Sequence, residues 1–194
     1  MTNDHMSLNA LPRYYIQALL GKWVPEGGVA HLDSLNSLKL DFSMRSLGRI
    51  DTFLDSIRPK NQTTFEDFIN QAPNLHLVHC LTSYISKTIE INAGISCVWI
   101  QVEEFNKKYS ARDTAMSLVP GAAVPFFTFD PENGFRSGNG IGFKPMDFVL
   151  ARIFAPKPTD FSIKDRSTSI VDGIVSGDTR DALTAHKKPW WKIW

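Results

Sequence analysis

The chain has 194 residues, of which 43% are hydrophobic and 21% charged, and its 21 basic and 20 acidic side chains leave a formal net charge of +1. That length and apolar content allow a sizeable core without staples, and they exclude disorder of the whole chain. The even charge balance offers no general basic field for nucleic acid, and no apolar run approaches the roughly 18 residues of a membrane span.

In chain order, Leu8, Leu11, Tyr15, Ala18 and Leu19 recur at helical spacing, with Gly21 placed to close that helix. Trp23 to Val29 holds Pro25, Gly27 and Gly28 and reads as a loop, and Leu38 to Leu40 reads as a short extended piece. Ser43 is an N-cap, with Phe42 and Leu47 as a hydrophobic staple. The helix it starts carries the stripe Leu47, Ile50, Phe53, Leu54 and Ile57, and Pro59 stops it. Thr64, with Asp67 three residues on, begins a shorter helix that Pro73 ends. Asn74 then caps the longest helix, from Leu75 to Asn92, with a wide face of Leu77, Val78, Leu81, Tyr84, Ile85, Thr88 and Ile89 and an exit at Gly94.

Ile95 to Glu103 alternates Val98, Ile100 and Val102 against Cys97, Trp99 and Gln101, the pattern of a strand covered on both faces. Ala123 to Asp130 predicts a second strand. Asn133-Gly134 and Gly138-Asn139-Gly140 supply turn material, and Ile141 to Lys144 a short returning strand. Pro145 opens a helix through Phe148, Val149, Ile153 and Phe154, which Pro156 and Pro158 end. Ile170, Ile174 and Val175 suggest one weakly amphipathic helix in the polar stretch that follows. The pattern predicts a single α+β domain over residues 1–158, with several helices flanking a small, mostly antiparallel sheet. A polar extension over 159–188 and a Trp-rich tail over 189–194 follow.

The two cysteines, Cys80 and Cys97, are expected as buried thiols. Met1 to Leu11 carries Asn3, Asp4 and His5 and no apolar signal-peptide core, which predicts a reducing cytoplasm. In that compartment the sequon Asn61-Gln62-Thr63 has no meaning. His76, His79 and Cys80 share one helix flank at i, i+3 and i+4, and imidazole and thiolate are good zinc or copper ligands, with Cys97 as a fourth candidate. No CxxC or HExxH pairing accompanies them, so a metal or an enzyme centred there is the alternative reading, and no cofactor is expected. Cys80 makes a poor nucleophile because it sits well inside a helix, where backbone N–H groups are already bonded. Asp51 and Asp55, with Arg58, read as a solvated helix edge. Gly138 to Gly142 resembles a phosphate loop only superficially and reads as a hairpin loop.

The informative segment is the ending, His186-Lys187-Lys188-Pro189-Trp190-Trp191-Lys192-Ile193-Trp194, which holds three of the five tryptophans. A buried aromatic hides roughly 150–250 Å², so such a tail has somewhere to land. Its own domain, another protein and a membrane headgroup layer are the three landings. With no assembled catalytic set, Trp190, Trp191 and Trp194, flanked by Lys188 and Lys192, predict a non-catalytic protein-binding module.

The stretches LDFSMRSLGRIDTFLDSIRPK (Leu40 to Lys60), LHLVHCLTSYISKTIEINAGISCVWIQVEE (Leu75 to Glu104) and KPMDFVLARIF (Lys144 to Phe154) appear in a familiar order. A helix passes through a glycine into a Trp-containing strand, and a proline-initiated helix follows two strands later. Over residues 38–155 the chain resembles small uncharacterised bacterial α+β proteins. The resemblance brings no catalytic residues. By analogy it implies an immunity- or antitoxin-type role, with a toxin or a secretion-system component as partner.

Overall fold

One long helix organises the fold, and its position follows from its sequence. The computed structural model describes residues 8–58, 63–109, 123–128, 140–154 and 162–177. Helix α5 (Ala72–Ala93) buries Leu77, Val78, Leu81, Tyr84, Ile85, Thr88 and Ile89, the face expected from their spacing. Gly94, left-handed at φ 66°, closes it, a conformation that glycine adopts without the Cβ penalty of other residues. Its start differs from expectation. Pro73 belongs to the first turn of α5 rather than ending the helix before it, because a proline there gives up only an N–H that has no helical partner. Asn74 therefore lies inside the helix, and its side chain donates to Gln71 Oε1 at 3.2 Å.

Around α5 stand α1 (Leu11–Leu19), α2 (Leu32–Asn36), α3 (Met44–Ile57) and α4 (Phe65–Ile69). Two of the three expected caps form. Ser43 accepts from the Ser46 N–H at the start of α3, and Thr64 accepts from the Asp67 N–H at the start of α4. Phe42 does more than staple α3. It sits at φ 58° with its ring stacked on Tyr84 at 4.7 Å, and its N–H donates to the Tyr84 hydroxyl at 2.7 Å. Asn92 Nδ2 donates to its carbonyl at 2.9 Å. A bulky residue in the left-handed region is strained, and here contacts from α5 hold it there. Leu38 to Leu40 is loop rather than strand, entered from α2.

Strand β1 (Cys97–Gln101) is shorter than the alternation suggested, because helix α6 (Val102–Tyr109) begins immediately after it. It pairs antiparallel with β2 (Ala123–Thr128), and β2 pairs antiparallel with β3 (Gly140–Gly142), in the order β1-β2-β3. Pro125 limits this sheet. The Phe143 N–H donates to the Pro125 carbonyl, but the proline has no N–H to return, and the ladder ends there. The outer edge of β1 is covered where Asn9 Oδ1 accepts from the Trp99 N–H at 2.8 Å. The Asn133-Gly134 turn lies outside the described residues.

Helix α7 (Pro145–Phe154) starts at the expected proline and packs on α5 and α3. Helix α8 (Ile163–Ser176) follows Ser162, whose hydroxyl accepts from the Asp165 N–H. Ile163, Ile170, Val171 and Ile174 of α8 join the same core as Leu81 and Phe126, whereas Val175 is 70% exposed. The described residues thus form an α+β fold of eight helices and one three-stranded antiparallel sheet.

Candidate functional site

His76, His79 and Cys80 lie along α5 where α1 crosses it, and the fold uses each of them separately. His76 Nδ1 lies 2.8 Å from the Gly28 carbonyl and ties the 22–30 loop to the helix. The His79 ring stacks on Tyr15 of α1 at 4.8 Å with an 18° interplanar angle. Burial, reinforced by the neighbouring His76, pushes His79 down to about 4, so its ring is neutral at pH 7. Cys80 is fully buried, and burial pushes its thiol up to about 12. Burial also raises the Cys97 thiol, with Glu90 adding to the effect. Both cysteines are free, and both are protonated thiols rather than the thiolates that attack carbon or bind metal. Among the described residues, no three His, Cys, Asp or Glu side chains converge as a metal site. The alternative ligand set of His76, His79 and Cys80 is thus not gathered into a metal site among the described residues.

Asp51 overturns the expectation of a solvated edge, whereas the Asp55 side chain stays partly exposed. Asp51 is only 7% exposed. Its Oδ1 accepts from the Ile163 N–H at 2.9 Å, and its Oδ2 from the Lys164 N–H and the Ser162 hydroxyl at 3.1 Å each. Arg152 Nε of α7 lies 3.2 Å from Asp51 Oδ1 and also donates to the Asp51 carbonyl. Its Nη2 pairs with Asp55 Oδ2 at 2.7 Å. Burial raises the Asp51 carboxyl, opposed by the N–H groups of Ile163 and Lys164 and by the Arg152 charge. One carboxylate thus joins α3, α7 and α8. The sequence carried a signal for this: Leu47, Asp51 and Leu54 fall at i, i+4 and i+7, so Asp51 lies on the apolar stripe rather than beside it. Arg152, set among the apolar residues of the last two turns of its helix, is its counterpart.

An aromatic pair joins α1 to the loop that follows it, a contact that helical spacing does not announce. Tyr14 and Trp23 have ring centroids 3.6 Å apart, and Leu20 and Val24 beside them are 48% and 59% exposed. Trp190, Trp191, Trp194, Lys188 and Lys192, together with the Gly138-Asn139 part of the glycine-rich turn, lie outside the described residues. Among the described residues no helix is long and apolar enough to cross a membrane. The chain matches no protein-family profile, no curated protein and no solved structure, so these comparisons show no family resemblance.

Proposed function

We propose that this chain is a non-catalytic protein-binding module of the bacterial cytoplasm. It engages its partner through Trp190, Trp191 and Trp194, with Lys188 and Lys192 beside them. The observation that carries the reading is the clustering of three tryptophans within the last five residues of a chain with balanced charge. Tryptophan is enriched among the few residues that dominate interface energetics. The site chemistry supports the same reading. His76 is engaged by a backbone carbonyl, His79 by an aromatic stack, and Asp51 by a helix start, so these groups serve the fold. The narrower form of the proposal is an immunity-type inhibitor of a toxin or a secretion-system component, and it rests on analogy alone.

A photoreactive phenylalanine analogue placed at Trp191 and irradiated in the source cell tests the proposal. The expected product is one discrete adduct with another protein, abolished when Trp190 and Trp194 are changed to alanine. Cross-links only within the chain would place the tail on its own domain and refute the proposal. Cross-links only to lipid would refute it in favour of a membrane surface.

A further inference from the structure

We infer that α8 is a separately opening unit, that a carboxylate latch at Asp51 holds it on the domain, and that it opens far more readily when that charge is lost. Four donors converge on this one buried side chain, and three of them come from the start of α8: the N–H groups of Ile163 and Lys164 and the Ser162 hydroxyl. The fourth, Arg152 Nε, fixes the carboxylate from α7. Removing this acceptor leaves the buried Ile163 N–H without a partner and takes the shared contact away from Lys164, Ser162 and Arg152, so the docking of the α8 start depends on one group.

The topology lets α8 leave alone. It pairs with no strand, and it lies against the helices α3, α5 and α7. Its apolar face of Ile163, Ile170, Val171 and Ile174 favours docking. That face also buries Ser167, whose hydroxyl has no partner among the described residues and so holds α8 less well than an apolar side chain would. Opening would uncover the surface of α3 and α5 beneath α8 and leave the β1-β2-β3 ladder intact. The inference stands independently of the partner proposed above.

Native-state hydrogen exchange on the full chain tests it. In the unaltered protein the amides of Ile170, Val171 and Ile174 should exchange at least about tenfold faster than those of Leu81 and Ile85, with a weaker denaturant dependence, the mark of a separate opening unit. Asp51→Ala should speed α8 exchange by about a hundredfold or more. Asp51→Asn, which keeps an acceptor, should lie between, and Asp55→Ala, at the partly exposed end of the ion pair, should change it little. If α8 and α5 exchange at one rate with one denaturant dependence in the unaltered protein, α8 is part of the global unit and the inference fails, whether or not the variants fold. Unchanged α8 exchange in Asp51→Ala would overturn it equally.

Discussion

His79 gives the residue scale its sharpest consequence. Its ring is neutral in the folded protein down to about pH 4, whereas an unfolded histidine binds a proton near pH 6.5. Between those values the unfolded chain holds more protons, so the stability contributed by His79 is fully present above about pH 6.5 and is lost as the pH drops toward 4. The full loss is roughly 3 kcal/mol from a depression of this size. His79→Phe retains a ring for Tyr15 to stack on and should flatten the curve across that window. Urea titrations of both proteins from pH 7 to 4 check this, and parallel curves would contradict it. Gly142 makes a second demand at this scale. A Cβ there would run into the Phe105 ring, so Gly142→Ala should destabilise by about 1–3 kcal/mol, and Phe105→Ala in the same chain should relieve the clash. Denaturant midpoints of the two single variants and the double variant decide, because simple additivity would show that the ring is not the obstacle. Neither constraint was legible in the sequence. The Phe105 ring meets Gly142 only through the fold, and the depression of His79 needs α1 laid across α5.

At the scale of elements, local chemistry was read well where a side chain acts on its own neighbourhood. Ser43, Thr64, Gly94 and Pro145 mark helix ends by hydrogen bonds or backbone geometry within a turn, and each does so in the structure. The misreadings share another cause. Val102 extends the alternation of β1 and so concealed the start of α6, whose acidic first turn, Glu103 and Glu104, was the competing signal. Pro73 is a start where its chemistry equally predicts a stop, since proline suits both places. The buried face of α5 supports a direct test. Leu81→Ala should lower stability by about 2–5 kcal/mol, as expected where a fully buried leucine leaves a cavity. A loss below about 1 kcal/mol in thermal or urea unfolding would mean that the site collapses around the missing atoms. Tyr84→Phe probes the contact between α5 and α3. Its hydroxyl accepts from the Phe42 N–H and shares a 2.6 Å hydrogen bond with Ser46 Oγ. Losing it should reduce stability by about 1–3 kcal/mol, and the Phe42 amide should lose its exchange protection.

At the scale of the molecule, composition and periodicity were enough for an α+β domain with a small antiparallel sheet. The helical layer runs on through α8, where Ile163 and Ile170 sit in the core shared with α5. What the sequence pattern hid was long-range polar wiring, in which Asp51 meets donors about 100 residues further along the chain, at Arg152 and Ile163. The functional account turns on the Trp-rich tail, and one comparison tests it most directly: thermal unfolding and partner binding of the full chain against a chain lacking Pro189 to Trp194. A tail built for a partner predicts that the truncated domain keeps its melting temperature within about 2–4 °C, the shift produced by roughly 1 kcal/mol in a protein of this size, and loses its partner. A melting temperature lower by many degrees with binding unchanged would contradict the account and make the three tryptophans part of the core.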